Sequence, residues 1–90
     1  MAETNSVHLW VEITLAGNGF PTAEELGARN AIIQSVKEQS LGHVTGSGGG
    51  GGTMDFSVRV ESAPVVEASI ATLIRKALPG YRFEIRPMRE

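Results

Sequence analysis

Over residues 7–15 every second position is aliphatic, Val7, Leu9, Val11, Ile13 and Leu15, and the positions between them hold His8, Trp10, Glu12 and Thr14. An extended chain points successive side chains to opposite faces, so this stretch predicts a strand with one face in a core and the other toward water. The same period returns at Met54, Phe56, Val58 and Val60, and again at Tyr81, Phe83 and Ile85. Glycine, proline or small polar residues bound each run, as they bound strands generally.

Between these runs the pattern changes to that of helices. Thr22-Ala23-Glu24-Glu25 is a capping box, in which the Thr22 hydroxyl serves a free N–H of the first turn and Glu25 reaches back. It predicts a helix over 23–40 with Leu26, Ile33 and Val36, helped by Ile32, on the core face. Glu24, Arg29, Gln34, Lys37 and Glu38 then face water, and Gly42 stands where a C′ glycine ends a helix. Ser62-Ala63-Pro64 opens a second helix with proline in its first turn; Val66, Ile70, Leu73, Ile74, Ala77 and Leu78 form its apolar stripe, and Pro79-Gly80 ends it.

His43-Val44-Thr45 reads as a short extended stretch, and residues 46–52 as a glycine-rich hairpin loop before the strand that begins near Met54. The order is β-α-β-β-α-β. Right-handed crossovers then put both helices on one face of a four-stranded antiparallel sheet of order 4-1-3-2, an α+β ferredoxin-like fold. Ninety residues suffice for one such domain, expected over 7–87, with a disordered N-terminus over 1–6.

Composition narrows the partners. Eight Lys+Arg against ten Asp+Glu leave a net charge of −2, which argues against affinity built on phosphate contacts, so nucleic acid is not expected. No run approaches the 18 or more apolar residues of a membrane span, and the N-terminus has no signal-peptide pattern, so the expected setting is cytoplasmic without membrane association. The absence of cysteine removes disulfides, thiolate zinc sites and cysteine nucleophiles.

The face of the sheet away from the helices carries His8, Trp10, Glu12 and Thr14 from the first strand, Asp55, Ser57 and Arg59 from the third, and Arg82, Glu84 and Arg86 from the last. The single Trp among arginines and carboxylates has the make-up of an interface hot spot, with Arg82 or Arg86 able to stack on the indole. Trp10, Glu12, Arg59, Arg82, Glu84 and Arg86 are therefore the candidate partner-binding residues. The expected occupant is a second copy, making a homodimer through the sheet, or an unidentified protein partner. An RNA-recognition module shares this topology but stacks bases on aromatics of both central strands; here Phe56 points inward and Trp10 stands alone.

The run Gly46-Ser47-Gly48-Gly49-Gly50-Gly51 matches the dinucleotide pattern G-x-G-x-x-G, yet a strand follows it rather than a helix, and no Gly-Lys-Ser/Thr ending is present. No cofactor is expected. Backbone N–H groups of Gly46, Gly48 and Gly50 could line an anion nest, and the Gly17-Asn18-Gly19 loop could approach a small ligand closely, which makes a ligand-sensing regulatory domain the alternative function. So plain a run is also what a Gly-Ser linker looks like.

The stretch Gly42-His43-Val44-Thr45-Gly46-Ser47-Gly48-Gly49-Gly50, running on to Met54-Asp55-Phe56-Ser57-Val58, resembles the G-x-V-x-G-x-G-x-G then D-x-x-V pattern of a loose group of small, uncharacterised bacterial proteins. The resemblance implies a natural glycine hairpin and a bacterial source, and it carries no activity. Catalytic constellations are missing: His8 and His43 have no metal-ligand spacing, and His8, on the open face, is the sole candidate for a sheet-based enzyme. The expectation is a non-enzymatic protein-binding module, comparable to small bacterial inhibitor or immunity proteins.

Overall fold

The computed structural model describes residues 7–17, 19–61 and 63–88; the expected disorder over 1–6 lies outside them. The elements are β1 (Val7–Thr14), α1 (Ala23–Glu38), β2 (His43–Gly50), β3 (Thr53–Val60), α2 (Ala63–Ala77) and β4 (Phe83–Met88). They form one antiparallel sheet of order β2-β3-β1-β4, the ferredoxin-like arrangement that the periodicities predict.

The inward halves of the strands make the core. Leu9, Val11 and Ile13 of β1 and Met54, Phe56, Val58 and Val60 of β3 are buried, beneath Ile32 and Val36 of α1 and Val66, Ile70, Ile74 and Leu78 of α2. Each such side chain contributes roughly 1.5–3 kcal/mol on leaving water, so the two central strands anchor the domain.

α2 follows its pattern apart from Ala77, which is exposed. α1 departs from it. Glu25 and Ile32 are buried, Leu26 and Ile33 are only half-buried, and Arg29, expected in water, is half-buried. The helix is rotated about its axis from the purely apolar solution because Glu25 has partners inside. Its Oε1 accepts from Thr22 N–H at 2.8 Å, and its Oε2 accepts from the Tyr81 hydroxyl at 2.8 Å and from Ala16 N–H at 3.4 Å. These bonds hold the Glu25 carboxyl below its ordinary value of 4.5, the Thr22 N–H contributing most and the Tyr81 hydroxyl next.

α1 ends two residues before the expected point, on a Schellman motif. Ser40 is left-handed (φ 54°), Ser40 N–H donates to Lys37 O and Leu41 N–H to Val36 O. Gly42 is therefore not the C′ residue. A Cβ there would stand 2.6 Å from the Arg59 carbonyl oxygen and 2.8 Å from methyls of Val58 and Val60, so the chain needs glycine to pass close to β3.

The expected loop over 46–52 is mostly strand. Gly46, Ser47, Gly48, Gly49 and Gly50 pair with β3 from Ser57 to Thr53, after an irregularity between Val44 and Gly46 that leaves Thr45 outside the register. The turn is Gly51-Gly52, with φ of 66° and 89°, the left-handed pair that a two-residue type I′ hairpin requires. The glycines do not unfold the strand because β3 supplies its ladder and the preceding loop its cover. Pro21 lies 3.1 Å from the Cβ position of Gly49 and Phe20 3.2 Å from that of Gly50.

Candidate functional site: the open face of the sheet

Because both helices lie on the side of Leu9 and Phe56, the alternate residues of β1, β3 and β4 form an uncovered face. The register arranges them in rows across the strands. Arg59 stands beside His8; Ser57, Trp10 and Arg86 make the next row, and Asp55, Glu12 and Glu84 the one after. Trp10, Glu12, Glu84 and Arg86 are thus brought together as expected, with Arg59 one row away. Arg82 lies beyond the start of β4, where its carbonyl accepts from Thr14 N–H at 2.9 Å, two rows from Trp10.

The chemistry of the face is set by three carboxylates on neighbouring strands. Like charges directly opposite repel, and Arg86 relieves part of this: its Nη1 is 2.6 Å from Glu84 Oε1 and 3.6 Å from Glu12 Oε1. The guanidinium is therefore committed to these carboxylates rather than to the indole. Asp55 is outside this network and forms no hydrogen bond or ion pair among the described residues. Loss of hydration raises its carboxyl above the ordinary 3.8, Glu12 pushes it the same way, and Arg29 opposes them. Sequence reasoning placed Asp55 on this face but passed over it as a site residue, since only the pairing with Glu12 marks it out.

Trp10 is half-buried, and its Nε1 is shielded from water without a hydrogen-bond partner among the described residues, a cost of about 1–3 kcal/mol for such a group. Beside it the hydroxyls of Thr45 and Ser57 are bonded at 2.8 Å. Toward the β2 edge the face is bare, because Gly46 and Gly48 carry no side chains. Arg29 reaches this strand from α1, its Nη1 donating to Gly48 O at 3.1 Å.

Gly46, Gly48 and Gly50, the residues considered for an anion nest in the alternative reading, all pair with β3. The first two are extended in the ladder, and Asp55 Oδ1 lies 3.6 Å from the Cβ position of Gly48, a negative neighbour that disfavours an anion. Of the Gly17-Asn18-Gly19 loop, Asn18 lies outside the described residues. Gly17 is exposed, and the Gly19 carbonyl accepts from Gly52 N–H at 2.9 Å, tying this loop to the hairpin tip. Beside its start, Thr14, Leu15, Ala16, Pro79, Gly80, Tyr81 and Arg82 line a concavity of about 420 Å³. Among the described residues no group of three or more His, Asp or Glu could hold a metal ion, and no helix is long and apolar enough to cross a membrane.

No family model and no curated protein matches the chain. Among solved structures it is similar to the de novo designed protein Foldit4, with a TM-score of 0.53 and 16% identity, covering 94% of this chain and 96% of that one. At this identity the likeness is one of backbone path, and with the observed order of strands and helices it places the chain in the ferredoxin-like α+β fold class.

Proposed function

We propose that this protein is a non-enzymatic binding module of the cytoplasm that works through the open face of its sheet, associating there with protein. The observation that carries this reading is the state of that face. Its large aromatic side chain, Trp10, is set among charges, with a shielded indole N–H and, one row away, an Asp55 carboxylate that has no ion-pair partner among the described residues. A partner surface would exclude water from the indole and supply a cation to the carboxylate, the combination of aromatic anchor and polar rim that protein interfaces use. Light scattering over a concentration series, with Trp10 emission recorded on the same samples and partner capture from extract alongside, tests it. Association or capture that shields Trp10 from quencher and is lost in Trp10→Ala is the expected result; Trp10→Ala leaving both unchanged overturns it.

The concavity beside the Gly17–Gly19 loop favours a second reading, small-ligand sensing. Nothing lies within 4 Å of the Cβ position of Gly17, so Gly17→Val leaves the fold intact while adding bulk to the loop beside the concavity. A metabolite that raises the melting temperature of the wild-type chain but not of this variant supports that reading.

A further inference from the structure

Resting on the open-face reading, we infer that the occupant of this face is a second copy of the chain, docked about a two-fold axis that crosses the strands through the Trp10 row. Two charges on β3 set the register. Arg59 and Asp55 sit on β3 two residues either side of Ser57, which is the register partner of Trp10. Arg59 is exposed and, like Asp55, makes no ion pair among the described residues. They are four residues and so about 13 Å apart along the strand, too far to meet within one chain.

A two-fold axis lying across the strands at the level of Ser57 and Trp10 exchanges the two positions. Arg59 of each copy then faces Asp55 of the other, and both charges gain a partner twice over in one isologous contact. Trp10 lies on the axis and meets Trp10 of the second copy, giving the interface an aromatic centre with charge pairs outside it. Arg86, in the same row, meets Arg86 of the second copy, and the Glu84 carboxylate 2.6 Å from each guanidinium offsets that like-charge approach.

The other simple axes oppose more like charges or pair fewer opposite ones. An axis along the strands, or one across them through Glu12, lays the Asp55-Glu12-Glu84 row on itself and doubles the repulsion that Arg86 only partly relieves. An axis midway between the Trp10 and Glu12 rows sets Arg86 against Glu84 of the second copy, but Arg86 already serves Glu84 within its own chain, and Arg59 and Asp55 gain nothing.

The test is sedimentation of the full chain and of the variants Arg59→Glu, Asp55→Arg and Trp10→Ala, with melting curves to confirm folding. In the inferred register, Arg59→Glu sets carboxylate against carboxylate at both cross-pairs, and Asp55→Arg sets guanidinium against guanidinium. Each variant alone therefore dissociates at least about tenfold more readily than the wild type. An equimolar mixture of the two restores wild-type association, because both cross-pairs of the mixed dimer are again opposite in sign. Charge variants that associate like the wild type, or a mixture that does not recover, overturn the register. If Trp10→Ala abolishes association while the charge variants do not, the open face stands as the binding surface and only the register falls. If Trp10→Ala and the charge variants all associate normally, the open-face reading falls as well. A wild-type chain that stays monomeric at every concentration overturns the second copy as occupant and leaves the open-face reading to the capture experiment.

Discussion

The two halves of the chain, β1-α1-β2 and β3-α2-β4, follow the same path but are held by different forces. In the second half α2 presents Val66, Ile70, Ile74 and Leu78, all buried, to the sheet, and Phe83 and Ile85 of β4 pack against the same core. In the first half the underside of α1 includes Glu25 and Arg29 as well as Ile32 and Val36, and β2 is largely glycine. Apart from Val44, which packs on the core, this strand offers the helix no apolar side chain. It offers carbonyls and close approach instead, which Arg29 uses at Gly48 and Pro21 and Phe20 use at Gly49 and Gly50. The comparison shows that the edge strand of one βαβ half can be held to its helix by a hydrogen bond and backbone proximity where the other half uses apolar side chains.

Removing apolar area from each half separates them most. Ile74→Ala is expected to cost about 2–5 kcal/mol in urea unfolding, whereas Leu26→Ala, on the half-buried flank of α1, costs about 1 kcal/mol or less. Close approach is the next largest effect. Gly42→Ala forces a methyl to within 2.6 Å of the Arg59 carbonyl and is expected to destabilise by about 1–3 kcal/mol, while Gly17→Ala, with open space around it, changes melting little. Arg29→Met keeps most of the side chain but removes the bond to Gly48 O. The expected loss is about 0.5–1.5 kcal/mol, with faster amide exchange along β2 than along β4.

Besides the strand ladders, the Glu25–Tyr81 bond joins the two halves, and pH reads it. The folded carboxyl of Glu25 titrates below its ordinary 4.5, so the folded state binds this proton less readily than the unfolded chain. Its contribution to stability is complete above 4.5 and is lost as pH falls through the lower, folded value. Tyr81→Phe removes one of the depressing bonds, so the acid unfolding midpoint moves to higher pH, as followed by circular dichroism. Asp55 has the opposite sign. Its raised pKa makes the ionised form unfavourable in the fold, so its contribution is present below 3.8 and is lost as pH rises through the folded value. Asp55→Asn is accordingly expected to stabilise the chain at neutral pH by a few tenths of a kcal/mol, the small size following from its partial exposure.

Most of the fold was legible because it is local. Alternation named the inward residues of β1 and β3, and the Thr22–Glu25 capping box marked the first residue of α1. The misreadings cluster in the first half. Gly46–Gly50 carry no side-chain period, so their strand character comes from β3, and Gly42 serves close approach where it resembled a helix stop. On the open face, alternation placed Trp10, Glu12, Glu84 and Arg86 on one side, but register joined Asp55, Glu12 and Glu84 into one row and set Arg82 apart.

The order of elements, the inward residues of the central strands and the two-sidedness of the sheet follow from the chain's local pattern, because each is a periodicity written in consecutive residues. Tertiary structure alone decided that a glycine run becomes an edge strand, that Glu25 turns inward to a tyrosine 56 residues away, and that Asp55 stands beside Glu12 with no cation bonded to it among the described residues. These depend on register and on which groups lose water together, and both arise only when distant segments pack.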